Sequence, residues 1–274
     1  METIQKMYEL LKFIFLGLFQ GFTEPIPISS SGHTVLLKEL FNVNIPGLSF
    51  EMFIHFGSLL AIAIFYRGTL WQLLRNTYLF ISQKNEQGKK DFYFLVLLFI
   101  ATIPAAIIGL FFEEQINKLL QHIIIIGIAL LMTGVFLWKI RKKRGVKEER
   151  DITIVDALWI GLAQAIAIIP GISRSGATII MGMYVGLKRE VALKFSFLLY
   201  IPVSVGAFVL SARDLLFDPY ISTLIIPYLL AFIASILATF FALRWFINIM
   251  LKGYLKYFAY YCFIVGTFVI LYFI

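Results

Sequence analysis

The sequence predicts an all-α integral membrane protein with two inverted-topology repeats, each a broken, re-entrant helix pair plus three transmembrane helices. Composition, the spacing of basic residues, and a polar segment that occurs twice lead to this fold class. The chain has 274 residues, of which 60% are hydrophobic, and its mean hydropathy is +0.88. Apolar runs at 92–112, 123–140, 191–210, 224–243 and 257–274 approach or exceed the roughly 18–20 residues that cross a bilayer. A β-barrel would show short alternating segments instead. Residues 1–274 read as a single membrane domain, with repeat one at about 1–145 and repeat two at about 146–274.

The formal net charge is +8, and the basic residues fall between the apolar runs. This pattern suits membrane orientation and excludes a nucleic-acid partner, because no basic stripe alternates with exposed aromatics. Cys262 is the single cysteine, which rules out an internal disulfide and a cysteine metal site. Lys6 and Lys12 precede an apolar stretch without a small-residue cleavage pattern, so the N-terminus is expected to be retained.

Basic loops set the topology. Residues 67–90 and 139–150 carry clusters of Lys and Arg and are expected on the cytoplasmic face as loops. So are Lys188, Arg189 and Lys194, and later Arg244, Lys252 and Lys256. The acidic-leaning turn 113–118 and the mixed stretch 213–218 are expected outside. From these anchors, 50–66 runs inward, 92–112 outward and 123–140 inward. In the second half, 153–187 must enter and leave on the cytoplasmic face. Then 191–210 runs outward, 224–243 inward and 257–274 outward. Three full spans per half invert the second copy relative to the first.

Residues 17–34 read GLFQGFTEPIPISSSGHT and residues 161–178 read GLAQAIAIIPGISRSGAT. At one fixed offset Gly17 matches Gly161, Gln20 matches Gln164 and Ser29 matches Ser173. Ser31, Gly32 and Thr34 likewise match Ser175, Gly176 and Thr178. Pro25 and Pro27 remove backbone donors and break the first helix, and Pro170–Gly171 is expected to break the second. Each Ser/Gly cluster can then start a short helix with unpaired amides. Paired broken segments in two halves point to a midplane binding site. Pro104, Pro202 and Pro227 are expected to be kinks repaired by neighbouring helices.

The two segments pool a carboxylate, an imidazole, a guanidinium and several hydroxyls. Arg174 offers a planar fork for phosphate oxygens, and helix N-termini offer amide donors. His33 can serve as base, acid or nucleophile. Gln20 and Glu24 lie four apart on one helix face, a pair that could hold a divalent cation. The set suits phosphate-ester or pyrophosphate chemistry on a membrane-bound substrate. Arg174 with Glu24 as a structural ion pair is the plainer alternative. Glu51 and His55 share a face beside the first segment.

At these residues the chain resembles the undecaprenyl pyrophosphate phosphatase family, also known for bacitracin resistance. Gln20–Glu24 with Pro27–His33 matches its first motif, Pro170–Thr178 its second, and the stretch FSFLLYIPVSVGA adds to the likeness. Gln20 stands as the allowed alternative to a first Glu, and Pro25 where an aromatic is frequent. The resemblance implies hydrolysis of the C55 isoprenyl pyrophosphate to the monophosphate carrier lipid, for cell-wall synthesis. It also implies a bacterial inner-membrane location, an active site open to the outer face, and dependence on a divalent cation, Mg2+ or Ca2+. The catalytic residues expected are Glu24, Ser30, His33 and Arg174. Ser29, Ser31, Thr34, Ser173, Ser175, Gly176 and Thr178 are expected to bind substrate, and Glu24 with Gln20 to hold the metal. Ser30 would attack the terminal phosphorus with His33 as base, or His33 would attack directly; Glu24 would hold the cation or orient His33. Membrane lipids surround the chain, and a homodimer is compatible with the sequence. A transporter or flippase of a phosphorylated isoprenyl lipid is the alternative reading.

Overall fold

The computed structural model describes residues 2–41, 49–112, 122–169, 171–216 and 221–274. Among them are eleven α-helices and no strand. The first broken element is α1 (Glu2–Thr23) followed by α2 (Ser30–Leu40); α3 (Ser49–Phe65), α4 (Arg67–Gln83), α5 (Lys89–Phe111) and α6 (Ile123–Ile140) follow. The second is α7 (Ile154–Ile166) with α8 (Arg174–Tyr184), then α9 (Arg189–Leu216), α10 (Ile221–Leu251) and α11 (Leu255–Phe273). Among the described residues five helices are long and apolar enough to cross a membrane, and a sixth span arises if the bent pair α3–α4 counts as one. The chain is thus built as a multi-pass helical membrane protein. Pro104, Pro202 and Pro227 all lie inside continuous helices. The expected turn at 113–118, Pro170 and the side chains of 213–218 lie outside the described residues.

One segment differs from the expected loop. Residues 67–83 form α4, bent by 71° from α3. Leu73 is buried, while Trp71, Leu74, Tyr78 and Ile81 form an exposed stripe at spacings of three, four and three, one helix face. An apolar stripe beside Arg67 and Arg75 is the pattern of a helix lying in a membrane interface. The basic residues there mask a helix in a charge-based reading.

The expected cytoplasmic loops do meet on one end of the molecule. Lys147 Nζ pairs with Asp156 at 2.9 Å, Lys143 Nζ reaches the Tyr184 carbonyl at 2.7 Å, and Lys188 Nζ pairs with Glu148 at 2.8 Å. These contacts bring the start of α7 and the end of α8 to the same end. The second broken element is therefore a hairpin that leaves where it enters.

Close packing holds the entry helices in place. A Cβ added at Gly17 of α1 would sit 2.2 Å from the Ala231 carbonyl oxygen of α10. One added at Gly161 of α7 would sit 2.4 Å from the Ala101 carbonyl oxygen of α5. Small residues that admit backbone contact are the usual device for helix packing in lipid. The main core cluster gathers around α9, where Phe195, Phe197, Leu198 and Leu199 are all buried.

Candidate active site

The first break follows from hydrogen-bond accounting. Pro25 cannot donate to the Gly21 carbonyl, and Thr239 Oγ1 from α10 donates there instead at 2.9 Å. Pro27 cannot donate to the Thr23 carbonyl, which accepts from Ile26 N at 3.1 Å in a tightened turn. The buried backbone thus stays paired where proline has removed its partners. The second break tightens in the same way, with Ile169 N bonded to the Ile166 carbonyl at 3.1 Å.

Both breaks end in a serine cap. Ser29 Oγ accepts from Gly32 N at 3.3 Å, and Ser173 Oγ accepts from Gly176 N at 3.0 Å. Each helix then has a threonine one turn on. Thr34 Oγ1 donates to the Ser30 carbonyl at 3.0 Å and Thr178 Oγ1 to the Arg174 carbonyl at 3.1 Å. The breaks also touch each other. A Cβ on Gly32 would meet Gly171 Cα at 3.0 Å, and one on Gly176 would meet Pro27 Cβ at 3.1 Å.

Glu24 is where the two segments join chemically. The residue is only 6% exposed. Arg174 Nη2 donates to Oε1 at 2.9 Å. Ser30 Oγ donates to Oε2 at 2.5 Å, as does Gln20 Nε2 at 2.9 Å. His55 Nδ1 lies 3.1 Å from the same oxygen. Gln20 is fully buried; its Oε1 accepts from Ser235 at 2.9 Å and from Ser58 at 3.3 Å. The Arg174 guanidinium also lies over the Tyr200 ring, 4.3 Å from its centroid, a cation–π contact that holds the fork flat.

These groups head a cavity of about 460 Å³. Glu24, Ser29, Ser30, Ser31, His55, Gln164, Ser173, Arg174 and Ser175 form its polar end. Its other end is apolar, between Ala105, Ala106 and Leu110 of α5 and Val203, Ala207 and Phe208 of α9. A ligand with a polar head and a hydrocarbon tail matches both ends.

Other expected site residues stand outside the cavity. Thr34 and Thr178 turn back on their own helices, and the Gly176 amide is taken by the Ser173 cap. His33 does not meet Ser30. Its Nδ1 donates to the Ser29 carbonyl at 2.8 Å, and its Nε2 pairs with the Tyr261 hydroxyl at 2.8 Å. The neighbour of the Ser30 hydroxyl is Glu24. His55 does join the site, whereas Glu51 is drawn away by Lys38 at 2.8 Å. Tyr200 and Tyr261 lie in apolar spans, and neither carries a local signal beyond its place in the family-like stretch or the last run.

Apolar helical spans, two touching breaks and a carboxylate–serine–guanidinium cluster lining one cavity define the class as a helical membrane protein with a polar cluster at its broken helices, chemistry suited to a phosphorylated lipid. Family comparison agrees: the model described as "Bacitracin resistance protein BacA" matches residues 13–268. The chain belongs to this family. It is 52% identical over 264 residues to "Undecaprenyl-diphosphatase 2" of Bacillus thuringiensis, covering 96% of this chain and 98% of that protein. It is 47% identical over 274 residues to "Undecaprenyl-diphosphatase" of Oceanobacillus iheyensis, covering 99% and 100%. The corresponding protein of Halalkalibacterium halodurans, "Undecaprenyl-diphosphatase 1", is 48% identical over 270 residues, 98% of each chain.

Proposed function

We infer that this chain is an undecaprenyl-diphosphatase that hydrolyses the C55 isoprenyl diphosphate to the monophosphate and phosphate. Family membership and the relatives' names support the substrate. The observation that carries the mechanism is the bridging of Ser30 and Arg174 by one buried carboxylate. Ser30 Oγ attacks the terminal phosphorus as its proton passes to Glu24 Oε2, the oxygen already within 2.5 Å. The bond from that phosphorus to the bridging oxygen breaks, and the lipid monophosphate leaves with the electron pair. Glu24 gives the proton it took from Ser30 to the departing monophosphate and is a carboxylate again. Water then attacks the phosphoserine as its proton passes to Glu24, and phosphate departs as Glu24 returns that proton to the Ser30 oxygen. Arg174 and the two leading amides of α2 and of α8, which the serine caps leave open, offset charge as it builds on the phosphoryl oxygens.

In this scheme His33 is a positioning residue. Ser29 has φ of 68°, a left-handed conformation that costs a non-glycine residue about 1–2 kcal/mol. His33 braces that residue from behind by binding its carbonyl, which keeps Ser30 aimed at Glu24.

Among the described residues Glu24 is the only carboxylate that lines the cavity, and no three His, Cys, Asp or Glu side chains gather to cage a metal. A single carboxylate fits a Mg2+-type ion, which retains waters and shares its coordination with substrate phosphates. It fits Ca2+ less well, which takes more oxygens. Glu24 would hold the ion; Gln20 would not, because its oxygen is occupied by Ser235 and Ser58. When bound, such an ion neutralises charge on the diphosphate.

Two inverted repeats are part of the same proposal. Matched Gly17 and Gly161 each pack on the penultimate span of the other half, at Ala231 and Ala101. The apolar end of the cavity lies toward the C-terminal half of α5 and the middle of α9, away from the basic end of the molecule. This supports a site open to the outer face of a bacterial inner membrane. The test is phosphate release from undecaprenyl diphosphate by purified protein in detergent. Mg2+-dependent release that EDTA stops is expected; folded protein without release would instead favour lipid transport.

A further inference from the structure

Gln20 and Gln164 occupy matching positions in the two polar segments, but their surroundings differ. Every polar side-chain atom of Gln20 is engaged, as described above. Gln164 is 1% exposed, yet its side-chain amide nitrogen has no hydrogen-bond partner among the described residues. It lines the same cavity as Arg174, Ser173 and Ser175. A buried donor left unpaired weakens a fold, whereas one paired on ligand binding contributes to affinity. Gln164 lies on α7, whose backbone is packed against α5 at Gly161, so the helix keeps this buried side chain at the cavity and away from bulk water.

We propose that Gln164 is a substrate-contact residue whose amide donates to a non-reacting oxygen of the lipid diphosphate. This rests on the diphosphatase reading. A neutral amide facing an apolar-walled cavity takes an oxygen acceptor. The isoprenyl tail has no acceptor, so the diphosphate group is the part of the substrate that can fill it. Gln164 takes no part in the Glu24–Ser30–Arg174 contacts, so its role is in binding and orientation more than in the chemical step. A group that binds ground state and transition state equally alters KM and leaves kcat. The duplicated glutamine has thus diverged: one copy supports the base and the other reads the substrate.

Gln164→Leu and Gln164→Glu test this, with kcat, KM and the thermal unfolding midpoint in detergent measured for each. Gln164→Leu is expected to raise KM by about tenfold or more, the loss of one hydrogen bond to a charged acceptor. Its kcat stays within about threefold on the same argument. Its midpoint should equal or exceed that of the wild type, because the unpaired donor is gone. Gln164→Glu places a negative charge against the diphosphate and should raise KM further. Gln164→Asn keeps the amide and guards against a folding defect; it should recover part of the affinity. The proposal is overturned if Gln164→Leu keeps the wild-type KM, or if its midpoint and kcat fall together. An inactive wild type would instead overturn the diphosphatase reading.

Discussion

The two broken segments share their capping pattern and, in the proposed scheme, divide the chemistry. Ser29 and Ser173 both cap, Thr34 and Thr178 both fold back, and Gly32 and Gly176 each touch the opposite break. The residues that begin the two short helices, Ser30 and Arg174, occupy matching positions and converge on opposite oxygens of Glu24. In the proposed scheme the first copy supplies the base, Glu24, and the nucleophile, Ser30, and the second supplies the cation, Arg174. The backbones also differ in strain. Ser29 has φ of 68°, while Ser173 has an ordinary extended φ of −73°. A duplicated scaffold therefore allows one copy to carry a strained, braced turn while the other stays relaxed, and residues held in such conformations cluster at functional sites.

The sharpest way to break this comparison is at the brace. His33→Ala removes the support of Ser29 and should lower turnover about 100-fold, the cost of a misplaced reacting group. His33→Asn, whose amide can still donate to the Ser29 carbonyl, should retain clearly more activity than His33→Ala. If the two variants are equally inactive, His33 acts as a base or nucleophile rather than as a brace. The comparison is sharpened next at the matched glycines. Gly17→Ala and Gly161→Ala each force a methyl group into an opposing backbone and should each destabilise by about 1–3 kcal/mol. Thermal unfolding in detergent reads this, and a loss in only one variant would break the equivalence. The smallest effect is at the caps. Ser29→Gly relieves the left-handed strain and should leave the midpoint equal or higher. Ser173→Gly, with no strain to relieve, should lower stability by a few tenths of a kcal/mol; the same sign for both would contradict the strain assignment.

Much of this was legible in the sequence. The apolar runs mark α5, α6, α9, α10 and α11 because lipid demands long apolar helices, and the positive-inside bias brings the basic segments to one end. The pairing of Gln20 with Glu24 follows from i, i+4 spacing, and that of Glu24 with Arg174 from the cost of unpaired charge in a membrane. Other features were not legible. Helix α4 was hidden because Arg67 and Arg75 resemble loop charges, although Trp71, Leu74, Tyr78 and Ile81 have helical spacing. The direction of His33 was not legible either. Its nearness to Ser30 in sequence suggests a base, but a histidine four residues past a left-handed Ser29 instead finds the Ser29 carbonyl. Tyr261 and Tyr200 come from distant spans, and no local pattern joins them to the site.

The central claim is that Glu24 links the two breaks into one hydrolytic site. The most direct measurement is phosphate release from undecaprenyl diphosphate by the wild type, Glu24→Gln and Ser30→Ala, each shown to be folded. Glu24→Gln keeps the shape of the side chain and removes the base, so its kcat should fall about 1,000-fold, within the range for general-base loss, with Ser30→Ala falling as far or further. Near-normal release by folded Glu24→Gln would contradict the account.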